Sequence, residues 1–275
     1  MTSLQRVIKY LAMAFAVFLC ISIIGGIFGA VSSISFFIDR NDNEVPHGDI
    51  GDMQVYYIWE EPASLKIDIM YAEFIIKEAE AFSVESNIKN LTVESQDDGT
   101  LIINEDKSFS SKVNGKKLTL YIPEGTQFEK ASISTGAGAV NIGSLFADTL
   151  KLDLGAGQVL IDELKVTGKA DIDGGAGEIR IDNAEINDLD IDLGLGSLRF
   201  TGKLTGDCDF DLGIGETRLT LLGNSDDYRI KLDKGLGEAR IGGNKVSSGT
   251  VYGSGANRLD IEGGIGEIRI DFENN

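Results

Sequence analysis

The sequence predicts an all-β fold: a single-domain β-solenoid of β-helix type, with repeats of about 19–20 residues and one transmembrane helix before it. Three observations carry this. A phrase of the form apolar–x–apolar–Asp–x–Gly–apolar–Gly–x–x–apolar–x–apolar recurs through the second half, as in Leu150-Lys-Leu-Asp-Leu-Gly-Ala-Gly-Gln-Val-Leu-Ile161 and Leu189-Asp-Ile-Asp-Leu-Gly-Leu-Gly-Ser-Leu-Arg-Phe200. Strict alternation flanks the glycines, which is the period of a strand. Residues 10–38 contain no charged side chain.

The first glycines of the Gly-apolar-Gly units are Gly136, Gly155, Gly175, Gly194, Gly213, Gly235 and Gly264, so successive steps are 19, 20, 19, 19, 22 and 29 residues. Of the 34 glycines, 26 follow Ala131, so glycine belongs to the repeats and not to a linker. Glycine accepts positive φ and close backbone approach, so each unit predicts a corner in a rung. First glycines such as Gly194 and Gly213 are the positions where that conformation is expected. The middle residue is Ala137, Ala156, Ala176, Leu195, Ile214, Leu236 or Ile265. It is apolar every time, and the expectation is that it plugs the inside of the corner. Rungs about 4.8 Å apart then stack in chain order, each on its neighbours.

The N-terminal region divides into residues 1–9, a cytoplasmic tail; 10–38, an anchor; and 39–52, a polar, turn-rich tether. A bilayer-spanning helix needs about 20 apolar residues. Arg6 and Lys9 precede the stretch and Asp39 follows, which orients the tail inward and everything after it outward. The apolar core exceeds the roughly 7–15 residues of a cleaved signal peptide, so retention is expected. Cys20 follows Leu19, where a lipoprotein signal requires a small residue. His47, the one histidine, sits in the tether and is a poor candidate for catalysis or metal binding.

Residues 53–130 read as an irregular β segment and N-terminal cap, and 131–275 as the regular solenoid. Within the cap, Ser64–Ile76 aligns without a gap on the repeat at 150, Leu65 on Leu150 and Asp68 on Asp153, with Met70 and Ala72 in place of the two glycines. It is a degenerate repeat, as end repeats tend to be. Further strands are expected at 82–85, 90–94, 100–103 and 117–122, with turns at Asp97-Asp-Gly and Val113-Asn-Gly.

Strand pairs leading into Leu120-Tyr-Ile-Pro-Glu-Gly125, followed by Ala131-Ser-Ile-Ser-Thr-Gly-Ala-Gly-Ala-Val-Asn-Ile142, resemble the bacterial putative-adhesin domain family over roughly residues 60–272. The resemblance implies a β-helix-like fold, often membrane-anchored, with no catalytic residues to carry over. Some members with a similar anchor resemble accessory proteins of cell-envelope stress systems. Fold alone does not give function.

Several chemistries are disfavoured by the residues themselves. A dinucleotide fingerprint needs a third glycine and a following helix, whereas Asn141, Leu160, Arg180, Arg199, Arg218, Arg240 and Arg269 stand at that position and strand pattern follows. Calcium rolls need a nine-residue period. Carboxylate pairs such as Asp171/Asp173, Asp190/Asp192 and Asp209/Asp211 imitate a polysaccharide-cleaving site, yet they recur in every rung, where a catalytic pair should be a local exception. Cys208 aligns with Leu150, Ala170 and Leu189 and reads as a buried small hydrophobe. What remains is an acid column: Asp153, Asp173, Asp192, Asp211, Asp233 and Glu262, beside an arginine column preceded by Glu178, Glu216, Glu238 and Glu267. These read as solvated ionic ladders. The sharper alternative is weak divalent-cation binding along the acid column.

The function expected is that of a single-pass cell-membrane protein whose extracytoplasmic solenoid binds or scaffolds, with no enzymatic activity and no cofactor. Its expected partners are the bilayer, through residues 10–38, and an envelope protein or polymer. The net charge of −19 disfavours nucleic acid. The alternatives are an accessory or regulatory ectodomain of an envelope-stress system, and, behind it, a carbohydrate-active β-helix enzyme.

Overall fold

The computed structural model describes residues 50–106 and 115–274. The anchor at 10–38 and most of the tether, His47 included, lie outside the described residues. Among the described residues no helix is long and apolar enough to cross a membrane.

Strands dominate the described residues, joined in one 14-stranded sheet. In chain order they are β1 (Ile50–Tyr57), β2 (Ser64–Ala79), β3 (Ser83–Ile88), β4 (Leu91–Ser95), β5 (Thr100–Glu105), β6 (Lys117–Pro123), β7 (Gln127–Val166), β8 (Ala170–Asn187), β9 (Leu189–Thr205), β10 (Asp207–Leu222), β11 (Tyr228–Ile241), β12 (Asn244–Val246), β13 (Thr250–Tyr252) and β14 (Asn257–Glu273). β8, β9, β10, β11 and β14 are each one rung, a strand bent at its Gly-apolar-Gly unit. β7 runs through two. The degenerate repeat takes the place its alignment gave it: β2 pairs in parallel with β7, Leu65 beside Ala131 and Ala72 beside Gly138.

Alternation explains why these residues make rungs. In β9, Leu189 and Ile191 are buried, Asp190 and Asp192 face out, and Leu198, Phe200 and Leu204 are buried again. Each buried apolar side chain of this size is worth about 1.5–3 kcal/mol, so stacked rungs form one continuous core. The buried set changes parity across the corner, from Leu189 and Ile191 to Leu198 and Phe200. An uninterrupted strand would turn Leu195 inward and Leu198 outward. The corner reverses this, and the plug expectation is corrected accordingly. The middle residues sit on the outer apex, half-buried or exposed, up to 71% exposed at Leu236 and 48% at Ile265. The inside of the corner is filled instead by Leu154, Val159, Ile179 and Leu193, around a void of only about 30 Å³.

The two glycines do different work, which corrects the expectation of positive φ at first glycines such as Gly194 and Gly213. The second adopts positive φ, +143° at Gly196. The first does not. A Cβ on Gly194 would lie 2.6 Å from the Gly175 carbonyl oxygen of the neighbouring rung. A Cβ on Gly196 would overlap the Gly177 carbonyl oxygen outright, in addition to the backbone strain.

The stacking order departs from chain order. The final repeat, β14, lies between β10 and β11, parallel to both, with Ile265 beside Ile214 on one side and Leu236 on the other. The long 29-residue step is the cause. After β11, the chain turns back as β12 and β13, both antiparallel to β11, before β14 inserts. This covers the open edge of the last rung, which would otherwise template another chain. Stacked rings of Tyr252 and Phe272, with Tyr228 against Phe272, close that end.

The other end is covered in the same manner. β5 and β6 lie parallel to the two halves of β2 and form one further rung beyond it. β4 pairs antiparallel with β5, β3 with β6, and β1 with β3. Met70 has no glycine partner here, and its N–H donates to the carboxylate of Glu105 at 2.7 Å. Lys116 meets the other oxygen of that buried carboxylate at 2.7 Å. Loss of either partner would leave a buried charge uncompensated.

The corner geometry makes a prediction that denaturant unfolding of the purified protein checks. Gly196→Ala should cost at least about 3 kcal/mol, from the strained φ plus the clash with the next rung. Gly194→Ala should cost less, because the clash alone opposes it. Lys203→Ala, on an exposed side chain, should stay within about 0.5 kcal/mol. Equal losses for Gly196→Ala and Lys203→Ala would contradict the corner assignment.

Candidate functional site

The arm before each corner carries the acids. With Leu189 and Ile191 turned inward, Asp190 and Asp192 must face out, and the same alternation repeats in every rung. Backbone pairing sets Asp153 beside Asp173, Asp173 beside Asp192, Asp192 beside Asp211, Asp211 beside Glu262, and Glu262 beside Asp233. The acid column expected from the sequence is therefore in register, with its last two members exchanged. A second ladder runs next to it: Lys151, Asp171, Asp190, Asp209, Asp260 and Lys231.

Lysines neutralise the two ends. Lys151 lies 3.3 Å from Asp153 and 3.4 Å from Asp173. Lys169 lies 2.6 Å from Asp171 and 3.5 Å from Asp190. Lys231 lies 3.0 Å from Asp260 and 3.6 Å from Asp233. Hydrogen bonding to these carboxylates holds all three ammonium groups above the ordinary lysine range. The centre is different. Among the described residues no lysine or arginine pairs with Asp192, Asp209, Asp211 or Glu262. Partial burial raises the Asp209 carboxyl above the ordinary aspartate range, and Asp190, Asp260, Asp211 and Asp207 push it in the same direction.

Beside this centre lies an open groove of about 530 Å³. Asp192, Asp211, Glu262 and Asp233 give it carboxylate walls, and Leu193 and Leu212 line it with apolar surface. Where those leucines stand in their rungs, β14 has Gly263. Ser248, arriving from the turn between β12 and β13, accepts the Lys234 N–H at 3.0 Å and approaches Asp233 at 3.4 Å. Sequence reasoning missed Ser248, Lys234 and Gly263 as groove residues. The available signal was the doubled glycine of Gly263-Gly264, where the two preceding rungs of the stack have Leu193-Gly194 and Leu212-Gly213, though Gly174-Gly175 doubles it as well.

The arm after the corner carries charge of both signs. Arg180, Arg199, Arg218, Arg269 and Arg240 form an unbroken ladder. Glutamates answer them: Arg199–Glu178 at 3.8 Å, Arg218–Glu216 at 3.2 Å, Arg269–Glu267 at 2.9 Å and Arg240–Glu238 at 2.6 Å. These exposed pairs are worth little individually. Their effect is to leave this face nearly neutral next to an acidic one.

Other chemistry finds little support among these residues. Among the described residues no three histidine, cysteine or carboxylate side chains are grouped to hold a metal ion. Cys208 is buried in the core, and burial pushes its thiol up to about 12, so it stays protonated at neutral pH. The carboxylate pairs continue through four stacked rungs, Asp171/Asp173, Asp190/Asp192, Asp209/Asp211 and Asp260/Glu262, with Lys151 and Lys231 taking the first position in the rungs on either side.

The raised Asp209 carboxyl gives a signed prediction. A folded acid with a raised pKa opposes folding increasingly as pH rises from its unfolded pKa to its folded one, and the penalty is absent where the group is protonated in both states. Asp209→Asn should therefore raise the melting temperature at pH 7, by an amount corresponding to within about 1 kcal/mol for an exposed site. The gain should vanish as pH falls below the ordinary aspartate range, near 4. Added salt should narrow the difference at pH 7 by screening. A melting series over pH and sodium chloride reads all three, and a gain that persists at low pH would contradict the electrostatic cause.

Comparison with known proteins gives the family. Residues 64–273 match the family described as Toastrack DUF4097. No curated protein matches the chain. Among solved structures, the chain is similar to a putative adhesin from Bacteroides fragilis, with 16% identity over 79% of this chain and 95% of that one, TM-score 0.44. It is also similar to a putative cell adhesion protein from Clostridium sporogenes, with 17% identity over 81% and 99%, TM-score 0.33. A third is a putative lipid binding protein from Parabacteroides distasonis, with 14% identity over 82% and 98%, TM-score 0.36. With the family match spanning most of its length, this chain belongs to the Toastrack DUF4097 family, as its resemblance to the putative-adhesin domain predicts.

Proposed function

We propose that this protein is a membrane-anchored binding module of the cell envelope, adhesin-like in mode and without enzymatic activity. In this reading residues 10–38 span the cell membrane, the N-terminus is cytoplasmic and the solenoid stands outside. The uncharged run behind Arg6 and Lys9 supports the anchor. The observation that carries the binding role is the acidic centre at Asp192, Asp209, Asp211 and Glu262, left without cationic partners beside a groove with an apolar lining. An extended ladder of this kind fits a cationic segment of an envelope protein or polymer, which would replace the missing counter-charges at several rungs together. A reaction site would call for one rung to stand apart, whereas the four central rungs Asp171/Asp173, Asp190/Asp192, Asp209/Asp211 and Asp260/Glu262 all keep a carboxylate at both positions.

Two measurements on intact cells test the reading. External protease should remove the solenoid before lysis, and a C-terminus that resists until lysis would reverse the orientation. Crosslinking followed by capture should recover an envelope partner, with recovery falling several-fold for Asp192→Asn/Asp211→Asn and unchanged for Arg199→Ala. Equal capture by both variants would remove the acidic face from the binding role.

A further inference from the structure

The C-terminal end of β1 and the two residues after it carry apolar side chains on both faces, beyond the exposed, polar Asp52 and Gln54. Tyr56 and Ile58 pack inward against the core. Met53, Val55, Tyr57 and Trp59 alternate with them and are 48%, 50%, 67% and 90% exposed. The Tyr57 and Trp59 rings lie 6.2 Å apart at the end of this stripe. A segment apolar on both sides, as from Val55 to Trp59, is the pattern of one covered on both sides. β1 also lies at the end of the sheet, paired with β3 alone. Its outer neighbours on β3, Glu85 beside Val55 and Ser83 beside Tyr57, are polar, so the apolar stripe is confined to the edge strand.

We propose that this stripe docks on the membrane that holds the anchor, entering the interfacial layer of neutral lipid headgroups. The inference rests on the anchored reading above. Eleven residues, 39–49, separate the uncharged run from β1. Fully extended they reach no more than about 40 Å, so β1 is held near the bilayer whatever the solenoid binds elsewhere. That tethering gives the stripe a high effective concentration at the surface, and weak contacts then suffice. The side-chain chemistry fits this layer: Trp and Tyr present an apolar body and a polar tip, and they concentrate at membrane interfaces. Asp52, Glu60 and Glu61 flank the stripe, and the chain carries a net charge of −19, so anionic headgroups are repelled and zwitterionic ones preferred. Docked through β1, the solenoid would be held against the surface by its capped end, leaving the acidic centre, several rungs away, open to a partner.

Trp59 is the one tryptophan in the chain, so intrinsic fluorescence reads this site alone. The full chain is reconstituted into phosphatidylcholine vesicles, with flotation reporting the anchor and brominated phosphatidylcholine serving as the quencher in the bilayer. The expected result is co-flotation, a blue-shifted Trp59 emission, strong quenching by the brominated lipid and protection from aqueous acrylamide. Val55→Ser/Tyr57→Ser, which leaves Trp59 and the inward residues in place, should lose most of the lipid quenching while still floating. Vesicles enriched in anionic lipid should lower it as well. Flotation with Trp59 open to acrylamide and untouched by the brominated lipid would overturn docking and leave the anchor standing. Protection from acrylamide without lipid quenching would also overturn it, and would assign the stripe to a second copy pairing edge to edge. Failure to float would overturn the anchored reading and docking with it.

Discussion

The structure depends on backbones meeting at the corners. At each Gly-apolar-Gly unit the chain bends, and each of its glycines lies against a carbonyl of the neighbouring rung, that of the corresponding glycine everywhere but at Gly136 and Gly138, which meet Met70 and Ala72. Gly196 against Gly177 shows the constraint: any side chain at that position would occupy the neighbour's carbonyl oxygen, and the positive φ excludes one independently. Close approach lets parallel rungs keep their hydrogen-bond ladder through a bend, where a bulkier residue would splay them. The repeat therefore fixes two glycines and leaves the residue between them free to vary from Ala137 to Leu236.

The rest of the surface follows from that bend. Because the inward set changes parity at the corner, acids at positions such as Asp190 and Asp192 end on one arm, while Arg199 ends on the other. Registration of identical repeats then multiplies any outward residue into a ladder. Repetition is thus the source of both the core and the charge pattern. It also concentrates repulsion, which lysines relieve at the two ends and no described lysine or arginine relieves by pairing with Asp209. A solenoid that tolerates such a centre keeps uncompensated negative charge available for a partner, in line with the binding role proposed here.

The regular part of this architecture was legible in the sequence because a period of two inside a period near nineteen leaves little freedom. Asp68 aligns on Asp153 by simple counting, and β2 occupies the place that counting gave it. The strands expected near 82–85, 90–94, 100–103 and 117–122 appear as β3 to β6. Three features were not legible. The outward turn of Leu195 depends on which glycine takes the unusual φ, and the two glycines look alike in sequence. The insertion of β14 between β10 and β11 depends on a hairpin formed by short strands at Asn244–Val246 and Thr250–Tyr252, too brief to carry a periodic signal. The buried pair of Glu105 and Lys116 joins residues whose proximity only the fold creates. For the candidate site, the acid column was readable as a column, while its groove was not, because Ser248 and the gap at Gly263 come together only through that insertion.

The central claim is that these rungs stack in parallel register, with the final repeat inside the stack. Disulfide formation measures it directly, in a background with Cys20 and Cys208 replaced by Ser and Ala. In the observed order, Asp209 lies beside Asp260, and Lys231 is one rung further on. Parallel neighbours about 4.8 Å apart are within disulfide reach, and residues two rungs apart, at about 9.6 Å, are not. Asp209→Cys with Asp260→Cys should oxidise to a crosslink under mild conditions, and Asp209→Cys with Lys231→Cys should stay reduced. A crosslink in the second pair and none in the first would mean that the repeats stack in simple chain order, and would contradict this account.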